Sequence, residues 1–411
     1  MDRSFLAIVA EGFFSRLSFG IVSFALPLYA LHAGLSLTQV GFLLSVNTAV
    51  AMALKPATGH LADRYGLKPA LTIAISLRSL VVLLIPFARG AFDLFAIKAA
   101  HGISKSLRDP AVNALIAERG GKKRIASAFA WYQTAKSVSG ALGKGIAGVL
   151  LTLTASDYTL VFLAAFLLSA IPLFLVLFLV KEKAGRKASV AGAEAGPEGT
   201  ADKENAATPR KHASFLLPVI SLGFLLSVTA QMLHGLFPVL AIRYAGLSEA
   251  ETGIILMAAT VVTLLATPLF GWLSDHVSRK TVLLVRGFTN IVSSIFYMSA
   301  GFLKLGGVAA GNIADHVGKA AFRPAWGALM SQVSGFDRKS RARSMGLMSM
   351  GEDAGAVLGP IMAAFLWNTW GIMVMLGVRI LLSLAAEIHA AIIFRSLENQ
   401  EERIMEQETT P

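Results

Sequence analysis

The chain is 411 residues long, 55% hydrophobic and only 15% charged, with a mean hydropathy of +0.64. A soluble globular domain carries roughly 25% charged residues, so this composition excludes one and points to an integral membrane protein. The absence of cysteine excludes disulfides, thiolate metal sites and cysteine nucleophiles, and no catalytic group, cofactor or metal is expected.

Crossing a hydrocarbon core of about 30 Å takes about 20 mostly apolar residues in a helix. Windows of that kind predict transmembrane helices near 5–31, 38–62, 69–88, 92–117, 125–153, 158–180, 215–243, 250–274, 281–303, 306–331, 343–367 and 371–394. The first is too long for a signal-peptide core and lacks a small-residue cleavage site, so it is expected to be a membrane helix. Between the sixth and seventh, residues 181–213 turn polar and offer no apolar face, the composition of a flexible linker. The expected division is therefore a six-helix bundle over 1–180, a cytoplasmic linker over 181–213, a second bundle over 214–395 and a cytoplasmic tail over 396–411.

The formal charge of +12 follows topology. Loops on one side hold nineteen Lys and Arg, among them Arg64, Lys68, Lys122, Lys123, Arg279, Lys280 and Arg338, whereas the opposite loops hold Arg89, Arg243 and Lys304. The positive-inside rule then places both termini in the cytoplasm. Nucleic acid is not an expected partner.

The halves repeat each other. Residues 37–71 align with 249–283 without a gap, setting Gly41 on Gly253, Pro56 on Pro268, Gly59 on Gly271 and Asp63 on Asp275. Further on, "KSLRDPAVNAL" (105–115) lies over "KAAFRPAWGAL" (319–329), with Lys105 on Lys319 and Pro110 on Pro324. The loop after the second helix reads "GHLADRYGLK", with Gly59, Asp63, Arg64, Gly66 and Lys68. On this motif and the repeat, the chain resembles the major facilitator superfamily over its whole length. The resemblance implies an all-α integral membrane fold of twelve transmembrane helices in two pseudo-symmetric six-helix bundles, rocking about a midplane site. It also implies that Gly59, Asp63, Arg64, Gly66, Lys68 and the degenerate copy at Asp275 form a cytoplasmic gate.

Charges inside the predicted spans carry the functional reading, because an intramembrane ionisable group faces the bundle interior or a cavity. In the fourth helix Lys98, His101, Lys105 and Arg108 fall at steps of 3, 4 and 3 residues, on one helical face. Turned to lipid, the three firm cations would cost on the order of 8 to 10 kcal/mol. The tenth helix carries Asp315, His316, Lys319 and Arg323; the first Glu11, Ser15 and Ser18; the seventh Ser227, Gln231 and His234. The resemblance implies that these four helices line the cavity. The fifth adds Lys136 and Lys144, and the eleventh Glu352 and Asp353.

Lys98, His101, Lys105, Arg108, Lys136, Lys144, Gln231, His234, Lys319 and Arg323 are accordingly candidate substrate-binding residues. Glu11, Asp315, Glu352 and Asp353 are candidate proton carriers. Cations outnumber carboxylates in this set, which favours an anionic small-molecule cargo. No G-x-x-x-x-G-K-[ST] loop is present, so ATP is not expected to drive the process directly. The leading expectation is a secondary transporter of a small organic anion, proton-coupled, monomeric, and multi-pass in the plasma membrane (the inner membrane of a Gram-negative source). The alternatives are a drug/proton antiporter-like exporter of amphipathic compounds and a non-transporting membrane sensor or assembly protein. Against the first alternative, Lys144 stands where the exporters' fifth-helix glycine motif has proline, although the eleventh helix has the better version at Gly355, Gly359 and Pro360.

If the loop is a gate, Asp63→Asn impairs transport yet leaves equilibrium ligand binding in place, because the defect lies in state populations. Proteoliposome uptake beside a binding assay in detergent checks this; normal turnover would make the loop a topological signal only.

Overall fold

The computed structural model describes residues 3–119, 125–180, 209–335 and 341–409, without the side chains of 3, 56, 59–65, 117–119, 125–127, 209–215, 279, 335, 341–343 and 397–409. It is helical, with no strand among the described residues. Twelve long helices run as α1 (Arg3–His32), α2 (Leu37–Tyr65), α3 (Leu67–Leu84), α4 (Ala91–Arg119), α5 (Ile125–Leu153), α6 (Tyr158–Leu179), α7 (Pro209–His234), α8 (Glu249–His276), α9 (Arg279–Leu303), α10 (Leu305–Gly335), α11 (Arg341–Trp370) and α12 (Ile372–Thr409). Eight of them, all but α4, α5, α10 and α11, are apolar enough on their own to cross a membrane. The four exceptions are the helices whose interiors carry the charges identified above, Glu11 of α1 apart.

Two boundaries differ from the sequence expectation. The seventh span stops as a regular helix at His234 and continues as one turn at Phe237–Val239 and a π-turn at Leu240–Tyr244. Pro238 lacks the N–H that would extend the ladder, so the break falls there. The last helix runs on through the expected tail to Thr409. Most of the expected linker, 181–208, lies outside the described residues.

The internal repeat survives as repeated local chemistry. Ser36 and Gln39 cap α2 reciprocally, Gln39 N–H donating to Ser36 Oγ at 3.2 Å and Ser36 N–H to Gln39 Oε1 at 2.8 Å. Ser248 and Glu251 do the same for α8, at 3.2 and 2.8 Å. This capping box satisfies amide donors that a helix start leaves open. Just ahead of each box a glycine turns the chain with positive φ, Gly34 at 88° and Gly246 at 73°. Both sit where an L side chain would be strained.

Contacts divide the chain into two compact units, Met1–Ala25 with Val46–Thr208, and Leu26–Ser45 with Pro209–Pro411. The turn between α1 and α2 thus groups with the second unit, where Ser45 Oγ donates to the Val357 carbonyl at 2.7 Å. The first unit has an apolar core built on Phe5, Ile8, Leu71, Ile75, Leu107 and Val176. The second has its own, built on Leu222, Leu226, Leu283, Trp326, Leu329 and Ile393.

Within each unit the closest helix approach runs over glycines. A methyl on Gly20 would meet the Gly140 carbonyl of α5 at 2.6 Å, and one on Gly143 would strike the Leu17 carbonyl. On α11, methyls at Gly351, Gly355 and Gly359 would sit 2.5, 2.5 and 2.8 Å from the carbonyls of Ile220, Phe224 and Val228 on α7. Small residues let the backbones touch where lipid supplies no hydrophobic drive between helices. Gly143→Ala and Gly355→Ala are therefore expected to lose about 1–3 kcal/mol by overpacking, whereas Gly377→Ala, whose added methyl meets nothing within 4 Å, is expected to be neutral. Thermal unfolding in detergent measures all three.

Candidate functional site

In the first unit α4 is held on two sides by small polar contacts. Gly102 lets it approach α2, where an added methyl would lie 2.8 Å from the Asn47 carbonyl. Ser104 Oγ donates to the Ala74 carbonyl of α3 at 2.7 Å. Pro110 has no N–H for the carbonyl four residues back, that of Ser106, and Thr58 Oγ1 of α2 supplies a donor there at 3.0 Å.

The centre of the unit is one carboxylate. Glu11 on α1 is fully buried and takes Arg108 as a two-point clasp, Nε donating to Oε1 and Nη2 to Oε2, both at 2.9 Å. Ser15 Oγ donates to the same carboxylate at 2.8 Å, while Arg108 Nη2 also donates to Tyr132 Oη on α5 at 3.0 Å. Asp109, more exposed, lies 3.6 Å from Arg108 Nη1. Bidentate pairing of this kind fixes geometry as well as charge.

Two further guanidinium groups flank this pair. Arg78 of α3, buried, donates to the Ser15 carbonyl. Arg16 and Arg78 stand over the Phe19 ring at 4.9 and 5.6 Å from its centroid, and His101 packs on the same ring at 5.3 Å. Lys136 stands over Tyr132 at 5.0 Å.

Beside the clasp opens a cavity of about 470 Å³ lined by Lys55, Arg108, Asp109, Pro110, Val112, Asn113, Tyr132, Gln133 and Lys136. That is within the size range of small-molecule sites, but such sites are usually apolar. Here three cations, two amides and a phenol dominate the wall. A polar wall of that composition suits a charged cargo.

The second unit solves the same problem differently. Asp315 on α10 receives Lys319 Nζ at 2.7 Å, Arg379 Nη2 of α12 at 3.1 Å and Arg286 Nη1 of α9 at 3.3 Å. Arg379, wholly buried, donates in addition to the carbonyls of Thr229 and Asn290, to Asn290 Oδ1 and to the hydroxyls of Ser293 and Ser294, at 2.8–3.2 Å. Near the α7–α11 contact, Trp326 Nε1 donates to Glu352 Oε1 and Phe322 stacks on the Trp326 ring at 5.8 Å. Ser227 Oγ donates to the Glu352 carbonyl at 2.7 Å.

The structure brings Glu11, Arg108 and Lys136 together, with Lys98, His101 and Lys105 further along α4. Lys144 is half-buried on α5. Asp315 and Lys319 pair on one helix; Arg323 is largely exposed and 3.9 Å from Glu352. Asp353 is half-buried beside Glu352, Gln231 backs onto Gly359 and His234 is exposed at the end of α7. Of the expected gate, Gly66 starts α3 with φ 99°, Lys68 Nζ donates to the Leu177 carbonyl at 3.0 Å, and Asp275 is exposed. Gly59 and the side chains of Asp63 and Arg64 lie outside the described residues.

Sequence reasoning missed Arg16, Arg78, Arg286, Arg379 and Tyr132. The signal was available for three of them. Arg78, Arg286 and Arg379 are single cations inside otherwise apolar runs, "ISLRSLVV", "LLVRGF" and "LGVRILL", and a lone intramembrane arginine implies an interior partner.

Two six-helix repeats, each with a carboxylate buried under guanidinium groups, define a polytopic membrane transport protein. The sequence matches the Major Facilitator Superfamily over residues 12–310 and 219–408, and the chain belongs to that superfamily. It is a multi-pass membrane transporter of a small-molecule substrate, not an enzyme. Among curated proteins it is similar to Multidrug resistance protein 1 of Bacillus subtilis (strain 168), 23% identical over 362 residues covering 87% of each chain. Among solved structures it is similar to a POT family transporter in complex with a thioalcohol conjugated peptide, with TM-score 0.75 and 15% identity over 97% of this chain and 96% of that one. A bacterial homolog to the human lysosomal transporter Spinster, inward-facing and occupied, gives TM-score 0.72 and 14% identity over 95% and 96% of the two chains. These likenesses concern the fold.

Removing a buried carboxylate strands its cations. Asp315→Asn, which leaves Arg286 and Arg379 without their counter-charge, is expected to lose about 3–5 kcal/mol. Arg323→Gln, at an exposed side chain, is expected to leave stability unchanged; thermal unfolding in detergent compares them.

Proposed function

We propose that the protein is a secondary transporter that moves a small organic anion by alternating access, coupled to protons, acting as a single chain in the plasma membrane with both termini cytoplasmic. The observation that carries the reading is the charge balance of the first unit. Arg16, Lys98, Lys105, Arg108, Lys136 and Lys144 lie on α1, α4 and α5 and Arg78 on α3, with Glu11 as the one fully buried carboxylate among the described residues of that unit. The Lys and Arg distribution supports the orientation of the termini.

Coupling follows from the clasp. An ionised Glu11 occupies both faces of the Arg108 fork. A proton on Glu11 removes its charge and releases the guanidinium, which then takes a cargo carboxylate or phosphate in the same bidentate geometry. Either state leaves the buried pair neutral. Proton without anion, or anion without proton, leaves an uncompensated charge in low dielectric, which is strongly unfavourable. Proton and anion therefore favour each other's binding, and the coupling is reciprocal. Asp315, Glu352 and Asp353 remain proposed as further proton-carrying groups, and Gln231, His234, Lys319 and Arg323 as further cargo contacts.

A second reading, an exporter of amphipathic drug-like compounds, is favoured by the similarity to Multidrug resistance protein 1 and by the Phe322–Trp326 shelf beside Glu352. Proteoliposomes under a pH gradient separate the two. The test panel is succinate, citrate, benzoate and glycerol phosphate against tetraphenylphosphonium and ethidium. Gradient-driven movement of at least one anion is expected; movement of the lipophilic cations alone would establish the second reading and overturn the first. Glu11→Gln, a mimic of the protonated residue, is expected to abolish gradient-driven accumulation while keeping anion counterflow. Arg108→Gln is expected to weaken anion binding by about 2–5 kcal/mol.

A further inference from the structure

Lys98 is a buried cation that none of the contacts described above uses. It is 6% exposed on α4, within a membrane span. Among the described residues it has neither a hydrogen bond nor an ion-pair partner, and the charge acting on it most strongly is another cation, Lys105.

An ammonium placed this way is destabilising, since burial removes its hydration and nothing replaces it. The repeat shows that the fold does not need it. In the alignment that sets Lys105 on Lys319, Lys98 falls on Asn312, a neutral residue equally buried at 2%. Around Lys98 the field stays positive. His101 is acted on by Lys98, Arg78, Lys105 and Arg108, and Arg78 by Arg108 and Arg16, with Glu11 as the opposing charge. Glu11 is taken up by Arg108, ten residues from Lys98 along α4.

We propose that Lys98, with His101 one turn away on the same face of α4, is a second anion station, to which the cargo passes after leaving the Arg108–Lys136 cavity. This rests on the anionic-cargo reading above. Ten helical residues span about 15 Å, about half of a hydrocarbon core of roughly 30 Å. An anion travelling that distance would meet a desolvation penalty wherever no cation faces it, and Lys105, between the two on the same face of α4, keeps the path positive. Lys98 supplies the charge at the far end, and its own need for a counter-ion is met only when cargo is there. A compact ammonium on a flexible stem suits transient capture, where a guanidinium fork suits held geometry.

The test compares wild type with Lys98→Met and Lys98→Arg, using the four panel anions, by equilibrium binding in detergent, by proteoliposome flux and by thermal unfolding. Lys98→Met is expected to bind within about threefold of wild type yet transport at least about tenfold more slowly, the pattern of a lost intermediate state rather than lost entry. Its unfolding midpoint is expected to equal or exceed that of wild type, because an unpaired buried charge has been removed. Lys98→Arg is expected to recover flux in part. Wild-type flux in Lys98→Met would overturn the station while leaving the anionic-cargo reading intact. A lowered unfolding midpoint would overturn it too, marking Lys98 as a structural cation. Failure of the wild type to bind or move any panel anion would overturn the cargo reading and the station with it.

Discussion

A carboxylate in a medium of low dielectric must be matched by a cation at hydrogen-bonding distance, and in each unit the packing is arranged to meet that demand. In the first, Glu11, Arg108 and Tyr132 come from α1, α4 and α5. They converge because α1 is stripped of side-chain bulk where α5 crosses it. Gly12 leaves room for the Tyr132 ring, and Gly20 lets the helix backbones meet at Gly140 and Gly143. A side chain at either position would push α5 away and take the Tyr132 hydroxyl out of reach of Arg108. The glycines that look like a packing motif are thus also what sets the electrostatics.

The two units resolve the same constraint with opposite consequences. Arg379 is hydrogen-bonded at Nε, Nη1 and Nη2 and wholly buried. Such a saturated group has nothing to gain from a new partner, and opening it would strand several donors at once. Arg108 has only Glu11, Tyr132 and the looser Asp109, and it borders a cavity. Exchange of one carboxylate for another there is close to isoenergetic. The Asp315 cluster is thus the more heavily bonded of the two, and the Glu11 pair is the exchangeable contact on the reading proposed above, although their residue types are the same.

Much of this was legible in the sequence, for identifiable reasons. The repeat was legible because Gly41 with Gly253, Pro56 with Pro268 and Asp63 with Asp275 recur at offset 212, and the structure extends the match to Gly34 with Gly246 and Ser36 with Ser248. The α4 stripe was legible because 3–4 spacing is a property of helices. What could not be read was pairing. Glu11 and Arg108 are 97 residues apart, and no spacing rule links α1 to α4. The i,i+4 pair of Asp315 and Lys319 was open to a spacing rule, but the two further partners of Asp315, Arg286 of α9 and Arg379 of α12, were not. The arginines of α3, α9 and α12 were passed over because attention went to helices with several polar residues, whereas one cation in an apolar run carries the stronger constraint.

Fold likeness at 13–15% identity leaves cargo chemistry unconstrained, because a superfamily scaffold tolerates any charge that its cavity can compensate. The informative quantity is the part of the buried charge that the protein does not itself neutralise. Around Asp315 three cations share one carboxylate, but hydroxyls and carbonyls take up most of their remaining donors, Arg286 Nη2 excepted, and the hydrogen-bond account largely closes. Along α4 and α5 it does not close, since Lys98 and Lys136 have no carboxylate bonded to either among the described residues. An intramembrane charge without a fixed partner marks a cavity or a substrate or ion pathway. On the reading proposed above an anion completes these two, and Lys98 stands on the helix that also holds Arg108.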